Sequence, residues 1–255
     1  MPSISERFDL SGKVALVTGG SRGLGREMVL AFAEQGADVV IASRKVDNCV
    51  RLADEVKERF GRRALPVGCH VGKWKEVDAL IERAYGELGK VDVLVNNAGM
   101  SPLYPSLAEI DEALYDKVMD VNLKGSFRLS VVVGERMAKG EGGSIISVSS
   151  GAAIRPTPGE AVYGLAKAAL HNMTTMLSQA YAPKVRANVL MPGPFLTDIS
   201  KAWGDPEFVA KAFEKSLLLQ RAGNPDEVVG AALFLASDAS SYSTGGVINL
   251  TGGLA

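Results

Sequence analysis

The stretch Val14–Ala37, VALVTGGSRGLGREMVLAFAEQGA, changes its hydrophobic period in the middle. Val14–Thr18 is a short, continuously apolar run rich in valine, the pattern of a strand covered on both faces. From Gly23 to Gln35 the apolar spacing is helical, and Gly36 follows as a natural left-handed C′ residue. Between the two lies TGGSRGLG, with glycines at 19, 20, 23 and 25. Glycine permits the sharp turn and lets a ligand approach the backbone without a Cβ in the way. The helix behind it offers unpaired N–H groups and the positive end of its dipole to an anion. Alone, such a loop can be no more than a tight turn. At a strand-to-helix junction opening an alternating chain, it reads as a cradle for the pyrophosphate of a dinucleotide.

The alternation continues outward. Further strands are expected at Asp38–Ala42, Ala64–Cys69, Val91–Asn96, Ser144–Ser149, Val185–Met191 and Gly246–Leu250. Helices are expected at Asn48–Phe60, Trp74–Leu88, Asp111–Ala138, Ala161–Tyr181 and Asp226–Leu235. This predicts an α/β fold, a doubly wound parallel sheet of about seven strands with helices on both faces. No composition break, long linker or repeat divides the chain, so residues 1–255 are expected to form a single domain.

The net charge of −1 gives no long-range attraction to nucleic acid or anionic membrane. No apolar run reaches the ~18–20 residues of a membrane span. The opening MPSISERFDLSGK lacks a basic segment followed by an apolar core, and Cys49 and Cys69 form no spacing motif. A reduced, cytoplasmic protein is the expectation. His70 and His171 are far apart in sequence, and no metal site is expected.

Dinucleotide sites often place an acid about 20 residues beyond the glycines, on the adenosine ribose. Here the second strand ends VVIASRK, with Ser43 where the acid is expected and Arg44 after it; Asp38 sits at the wrong end of the strand. A guanidinium there can fork onto a 2′-phosphate, and Arg22 inside the glycine loop can add a second charge. NADP(H) is therefore favoured over NAD(H).

In SVSSGAAIRPTPGEAVYGLAKAAL, Ser147–Leu170, Tyr163 and Lys167 are four apart and share one face of a helix. By itself this is also the pattern of a surface tyrosine beside a solvated lysine. The order of motifs decides: TGGSRGLG, then NNAG at Asn96–Gly99, VNLKG around Asn122, Ser150 thirteen residues before Tyr163, and MPGPFLTD at Met191–Asp198. From about Leu10 to Gly253 the chain resembles the short-chain dehydrogenase/reductase family, whose fold is of the Rossmann type. The resemblance implies a catalytic tetrad of Asn122, Ser150, Tyr163 and Lys167, with Ser149 turned to the other side of the strand end. It implies cofactor contacts from Gly19, Ser21, Arg22, Gly23, Leu24 and Gly25, and from Ser43 and Arg44. Asn97, Ala98 and Gly99 would close the adenosine side of the groove. Val71 would pack on adenine, Thr197 after Pro192–Gly193 would hold the nicotinamide carboxamide, and Tyr163 and Lys167 would reach the cofactor. Asn122 would hold a water linking Lys167 to solvent. The chain departs from the family at His70, where an aspartate often meets the adenine amino group; an imidazole can accept that bond, stack on the base or simply face solvent.

Hydride chemistry belongs to the cofactor, and the protein supplies orientation and proton control. Tyrosine's reference pKa of ~10 is high for proton exchange at neutral pH, and Lys167 is expected to lower it. Tyr163 would be the acid in reduction and the base in oxidation, with Ser150 donating to the substrate oxygen. The expected activity is reduction of a ketone with NADPH. NAD-dependent oxidation of a secondary alcohol is the alternative, and a non-catalytic dinucleotide sensor the more distant one. MSPLYPSL, IRPTPGE and a segment from Phe195 to Leu219 should wall the substrate pocket. That last segment, with Phe195, Trp203, Phe208, Phe213 and Leu217–Leu219, is either a lid over an apolar substrate or packing against the body or a subunit. By resemblance, the partners are a small-molecule substrate and three further copies in a homotetramer.

Overall fold

A computed structural model describes residues 3–197, 200 and 204–253. After a short helix α1 (Ile4–Phe8), capped reciprocally by Ser3 and Glu6, the chain alternates. The order is β1 (Val14–Thr18), α2 (Gly23–Glu34), β2 (Asp38–Ser43), α3 (Val46–Phe60), β3 (Ala64–Gly68), α4 (Trp74–Leu88) and β4 (Val93–Asn96). It continues through α5 (Glu112–Met119), α6 (Gly125–Lys139), β5 (Gly143–Val148), α7 (Ala161–Tyr181), β6 (Val185–Pro192), α8 (Pro206–Ser216), α9 (Val229–Ala236) and β7 (Val247–Leu250).

The strands form one parallel sheet of seven in the order β3-β2-β1-β4-β5-β6-β7. The order reverses between β1 and β4, so crossovers leave these neighbours in opposite directions and a crevice opens at their carboxyl ends. Strands β1 and β4 are buried at every position, which explains their unbroken apolar runs. Each sheet face has its own core. Met28, Phe32, Val56 and Leu235 pack on one side. Leu80, Ile81, Leu129, Leu170 and Leu177 pack on the other.

Two parts of the fold differ from the sequence expectation. The helix expected over Asp111–Ala138 is interrupted by a π turn, Asp120–Lys124. Apolar spacing carries through such a turn with little change, so the period hides it. The segment 195–219 contains α8, begun by Asp205, whose carboxylate accepts the amides of Glu207 and Phe208. Trp203 and Asp198 lie outside the described residues.

Candidate active site

The π turn sets the position of Asn122. Within this turn the Asn122 side-chain amide donates to the Val118 carbonyl at 2.9 Å. The same amide donates to the Met100 carbonyl at 2.9 Å, while Asn122 Oδ1 accepts the Met100 N–H at 3.1 Å. The loop after β4 is thereby tied to the helix break. A Cβ on Gly99 would fall 2.9 Å from Asn122 Oδ1 and 3.4 Å from Lys167 Nζ, so backbone, amide and amine converge where only a glycine fits.

Lys167 is 3% exposed. Its Nζ donates to the Val148 carbonyl at the end of β5 (2.8 Å) and stands 5.6 Å from the centroid of the Tyr163 ring. Burial lowers its pKa from 10.5 to about 8. Tyr163 does not follow the expectation that its neighbour would draw the phenol down. Burial raises its pKa above the ordinary tyrosine value; an interaction with the Ser150 hydroxyl opposes this, and the Glu160 charge adds to it. Removing the phenol from water costs the phenolate more than a lysine itself weakened by burial returns.

Ser150 begins a turn of 3₁₀ helix, Gly151–Ala153, and its Oγ accepts the Ala152 amide at 3.2 Å. Ser149 lies buried behind it. The Ser149 hydroxyl donates to the Lys167 carbonyl (3.2 Å) and shares a 2.7 Å hydrogen bond with His171 Nε2. The chain end of β5 thus holds Lys167 twice, by its side chain and by its backbone.

Two residues of the segments expected to wall the substrate pocket, neither singled out in the sequence, stand on the substrate side. The Tyr104 hydroxyl donates to the Pro158 carbonyl (2.6 Å) and accepts the Ala161 amide (2.7 Å), fastening the loop after β4 to the start of α7. Glu160, three residues before Tyr163, lines a small cavity of about 10 Å³ with Pro102, Leu114, Val118, Val162 and Tyr163. No spacing in the sequence distinguishes either residue from ordinary loop residues.

The sequence model of the family described as Enoyl-(Acyl carrier protein) reductase matches residues 19–255. A Bos taurus protein named Dehydrogenase/reductase SDR family member 4 is 37% identical over 252 residues, covering 98% of this chain and 90% of that protein. The chain belongs to the short-chain dehydrogenase/reductase family. Among solved structures, a 7α-hydroxysteroid dehydrogenase complexed with NADH and 7-oxo glycochenodeoxycholic acid superposes with a TM-score of 0.93 at 32% identity, over 99% of this chain and 98% of that one. A 3-oxoacyl (acyl-carrier-protein) reductase from Agrobacterium tumefaciens C58 with NADP bound gives 0.93 at 31% identity, over 98% and 97%.

Short-chain dehydrogenase/reductases bind a nicotinamide dinucleotide, and the groove of this chain fits one. At the end of β1, Gly19 has φ 62°, and a Cβ on Gly25 would fall 2.3 Å from the Gly19 carbonyl oxygen. The loop is therefore folded tightly, with no side chain at Gly23 or Gly25 in the first turn of α2. Asn97 holds it there, donating from Nδ2 to the carbonyls of Thr18 (2.9 Å) and Gly19 (3.2 Å). The amides of Asn97 and Ala98 donate in turn to Thr18 Oγ1, a brace absent from the motif reading. Thr197, beyond Pro192 and Gly193, reaches within 3.5 Å of the Cβ position of Gly23, so this short-chain dehydrogenase/reductase brings both ends of its candidate cofactor groove together. Leu24 packs into the core under the loop.

At the end of β2, Ser21 Oγ donates to Ser43 Oγ at 2.9 Å. Arg44 is exposed and makes no hydrogen bond or ion pair among the described residues. Arg22 is exposed at the start of α2. Helix α3 follows, with Lys45 at its N-cap and no side-chain cap bond. Asp38, at the far end of β2, is paired with Arg62 (2.8 Å) and Arg63 (2.6 Å). Val71 is 8% exposed, with its carbonyl against Gly125. His70 is half-buried, and its Nδ1 accepts the Gly72 amide at 3.2 Å. In the neutral ring the free nitrogen Nε2 then carries the proton and is a donor.

The segment 195–219 divides between the two roles considered for it. Phe195 and Leu217 are buried, while Phe208, Leu218 and Leu219 are 65–76% exposed. Among the described residues no cluster could hold a metal ion, and no helix is long and apolar enough to cross a membrane.

Proposed function

We propose that the protein reduces a ketone with NADPH, with Asn122, Ser150, Tyr163 and Lys167 as its catalytic set. The observation that carries this reading is the convergence of Tyr163, Ser150 and Lys167 beside the glycine cradle, at the carboxyl ends of the central strands. A bound nicotinamide supplies the hydride for the carbonyl carbon. Tyr163 gives its phenolic proton to the carbonyl oxygen, and Ser150 donates a hydrogen bond to the same oxygen. The Lys167 ammonium, 5.6 Å from the ring centroid, stabilises the phenolate that remains. Asn122 fixes the loop carrying Gly99 against Lys167 and would hold a water through which the proton is replaced. Burial holds the Tyr163 phenol in its protonated form, the form from which reduction starts. The matching family is described as an enoyl thioester reductase, but a serine and a tyrosine aimed at one oxygen suit a carbonyl.

The absence of an acid beside Ser43 and the exposed Arg44 and Arg22 support NADP(H). NAD(H) with a secondary alcohol is the second reading, because one similar structure holds NADH. The groove is expected to take its adenine against Val71 and His70, and Ser43 to meet the ribose. Segment 195–219 is expected to close over the substrate, with Phe195 and Leu217 as its anchors. The family resemblance and the apolar outer faces of α5–α7 support a homotetramer, and the chain's composition a cytoplasmic location.

The test is a pair of variants. Tyr163→Phe should lower turnover of any accepted ketone by about 10²–10⁴-fold, while NADPH binding by fluorescence titration stays within a factor of about three. Arg44→Ala should cut the NADPH-over-NADH preference about tenfold or more, the worth of one charged hydrogen bond. Retained turnover in the first rejects the proton donor. An unchanged preference in the second rejects the cofactor assignment.

A further inference from the structure

We propose that His171 is a positioning residue for Lys167: its ring N–H fixes the Ser149 hydroxyl, and that hydroxyl holds the Lys167 carbonyl. The inference rests on the catalytic reading of Lys167 and carries it one helical turn further, to a residue outside the proposed set of four.

Tyr163, Lys167 and His171 follow one another at intervals of four along α7 and so share one face of an unbroken helix. That face meets the end of β5 in a polar seam. The Val148 carbonyl accepts from Lys167 Nζ at 2.8 Å, and the Thr174 hydroxyl donates to the Ser147 hydroxyl at 2.9 Å. In the same seam Ser149 is 2% exposed, and its amide already donates to the Leu190 carbonyl in β6. Its hydroxyl meets two groups, the Lys167 carbonyl at 3.2 Å and His171 Nε2 at 2.7 Å.

A hydroxyl has one hydrogen to give. A carbonyl only accepts, so the bond to Lys167 uses that hydrogen. The shorter contact to the imidazole then takes its hydrogen from the ring, which makes Nε2 the protonated nitrogen. Burial lowers the His171 pKa below its ordinary 6.5, so the ring is neutral at pH 7 and Nδ1 carries no proton. In an α-helix the carbonyl of residue 167 also accepts the amide of residue 171. The groups close a cycle: His171 amide to Lys167 carbonyl, carbonyl to Ser149 hydroxyl, hydroxyl to His171 imidazole. Lys167 is thereby tied to β5 at both ends, by its carbonyl at Ser149 and by Nζ at Val148. The pose of its backbone sets where Nζ stands, 5.6 Å from the centroid of the Tyr163 ring. Without the imidazole N–H, the Ser149 hydroxyl has no donor to hold its orientation, and the turn of helix carrying Lys167 loses its fixed seat on the strand.

The experiment uses the full chain and combines spectra with kinetics. In protein carrying isotope-labelled histidine, proton–nitrogen correlation spectra at pH 7 should show the His171 proton on Nε2, the signal being assigned by its loss in His171→Leu. In protein carrying isotope-labelled lysine, the Lys167 ε-methylene resonance, assigned with Lys167→Met, should move in His171→Leu. It should return in His171→Gln, whose side-chain amide can supply the missing N–H. With NADPH and a ketone that wild type accepts, His171→Leu should lower kcat by about tenfold or more, the scale of a slightly displaced catalytic group, with the ketone KM within about twofold. His171→Gln should come back to within about threefold of wild type. A proton on Nδ1 in wild type overturns the inference without any variant. An unmoved lysine resonance or a wild-type kcat in His171→Leu overturns it as well. So does a His171→Gln protein that behaves like His171→Leu, because the N–H is then not what the residue supplies. If no ketone is reduced, but the proton lies on Nε2 and the lysine resonance moves and returns as stated, the positioning role stands and the ketone reading fails.

Discussion

Lys167 serves two opposed requirements. The proposed chemistry needs an ammonium beside the phenol ring, and folding must bury that ammonium in the helix–sheet seam at 3% exposure. The conflict is visible in its pKa, lowered to about 8. A folded-state value below the unfolded 10.5 means that stability is fully present only above the unfolded value and is lost as pH falls through the folded one. The charged lysine at neutral pH thus costs on the order of 3 kcal/mol. Lys167→Met keeps the volume and removes the charge. It should abolish turnover and raise Tm by several degrees in scanning calorimetry at pH 7, with the difference shrinking as pH rises from about 8 towards about 10.5. An unchanged or lowered Tm at pH 7 would mean that the 2.8 Å bond to Val148 offsets the burial.

The π turn between α5 and α6 is the element that makes Asn122 useful. There the Asn122 side-chain amide donates to the Val118 carbonyl and to the Met100 carbonyl in the loop after β4, joining helix to loop. Asn122→Asp keeps the size and loses both donated bonds, leaving two carbonyls unsatisfied. The expected cost is about 1–3 kcal/mol, read as a lowered urea midpoint. Hydrogen exchange should quicken selectively at the Met100 amide and its neighbours. Uniform exchange along the chain would show that the loop does not depend on this residue. Gly25 belongs to the same scale, since its missing Cβ decides how closely β1 can turn into α2.

For the whole molecule, the side of the sheet carrying α5, α6 and α7 leaves apolar side chains outside. Tyr115, Phe127, Leu165 and Met176 are 39–60% exposed along these helices. A second copy is the occupant their position suggests, and light scattering should give four times the 26.9 kDa chain mass. Leu165→Glu should reduce the assembly to dimers or monomers without shifting the far-UV circular dichroism. A monomeric wild type would reject the tetramer.

Periodicity and glycine placement made most of this architecture legible. Val14–Thr18 and Gly23–Gln35 announce a strand and a helix because those patterns are set by neighbours along the chain. The glycines at 19 and 25 announce a tight junction because few other residues could occupy it. Tyr163 and Lys167 could be paired because helical spacing is local geometry. What the sequence could not convey is what depends on elements distant along the chain. The π turn at Asn122 is fixed by a contact to Met100, 22 positions away, and the latch of Tyr104 by Pro158 and Ala161, more than 50 away. The balance of charge and burial at Tyr163 was illegible for the same reason. Spacing reveals that an amine is near, whereas the solvent stripped from both groups depends on which strands, loops and helices close around them. Sequence by itself determined which residues were available for the chemistry and on which local elements they lie. Tertiary structure alone decided their environment, because burial and long-range hydrogen bonding are properties of the packed chain.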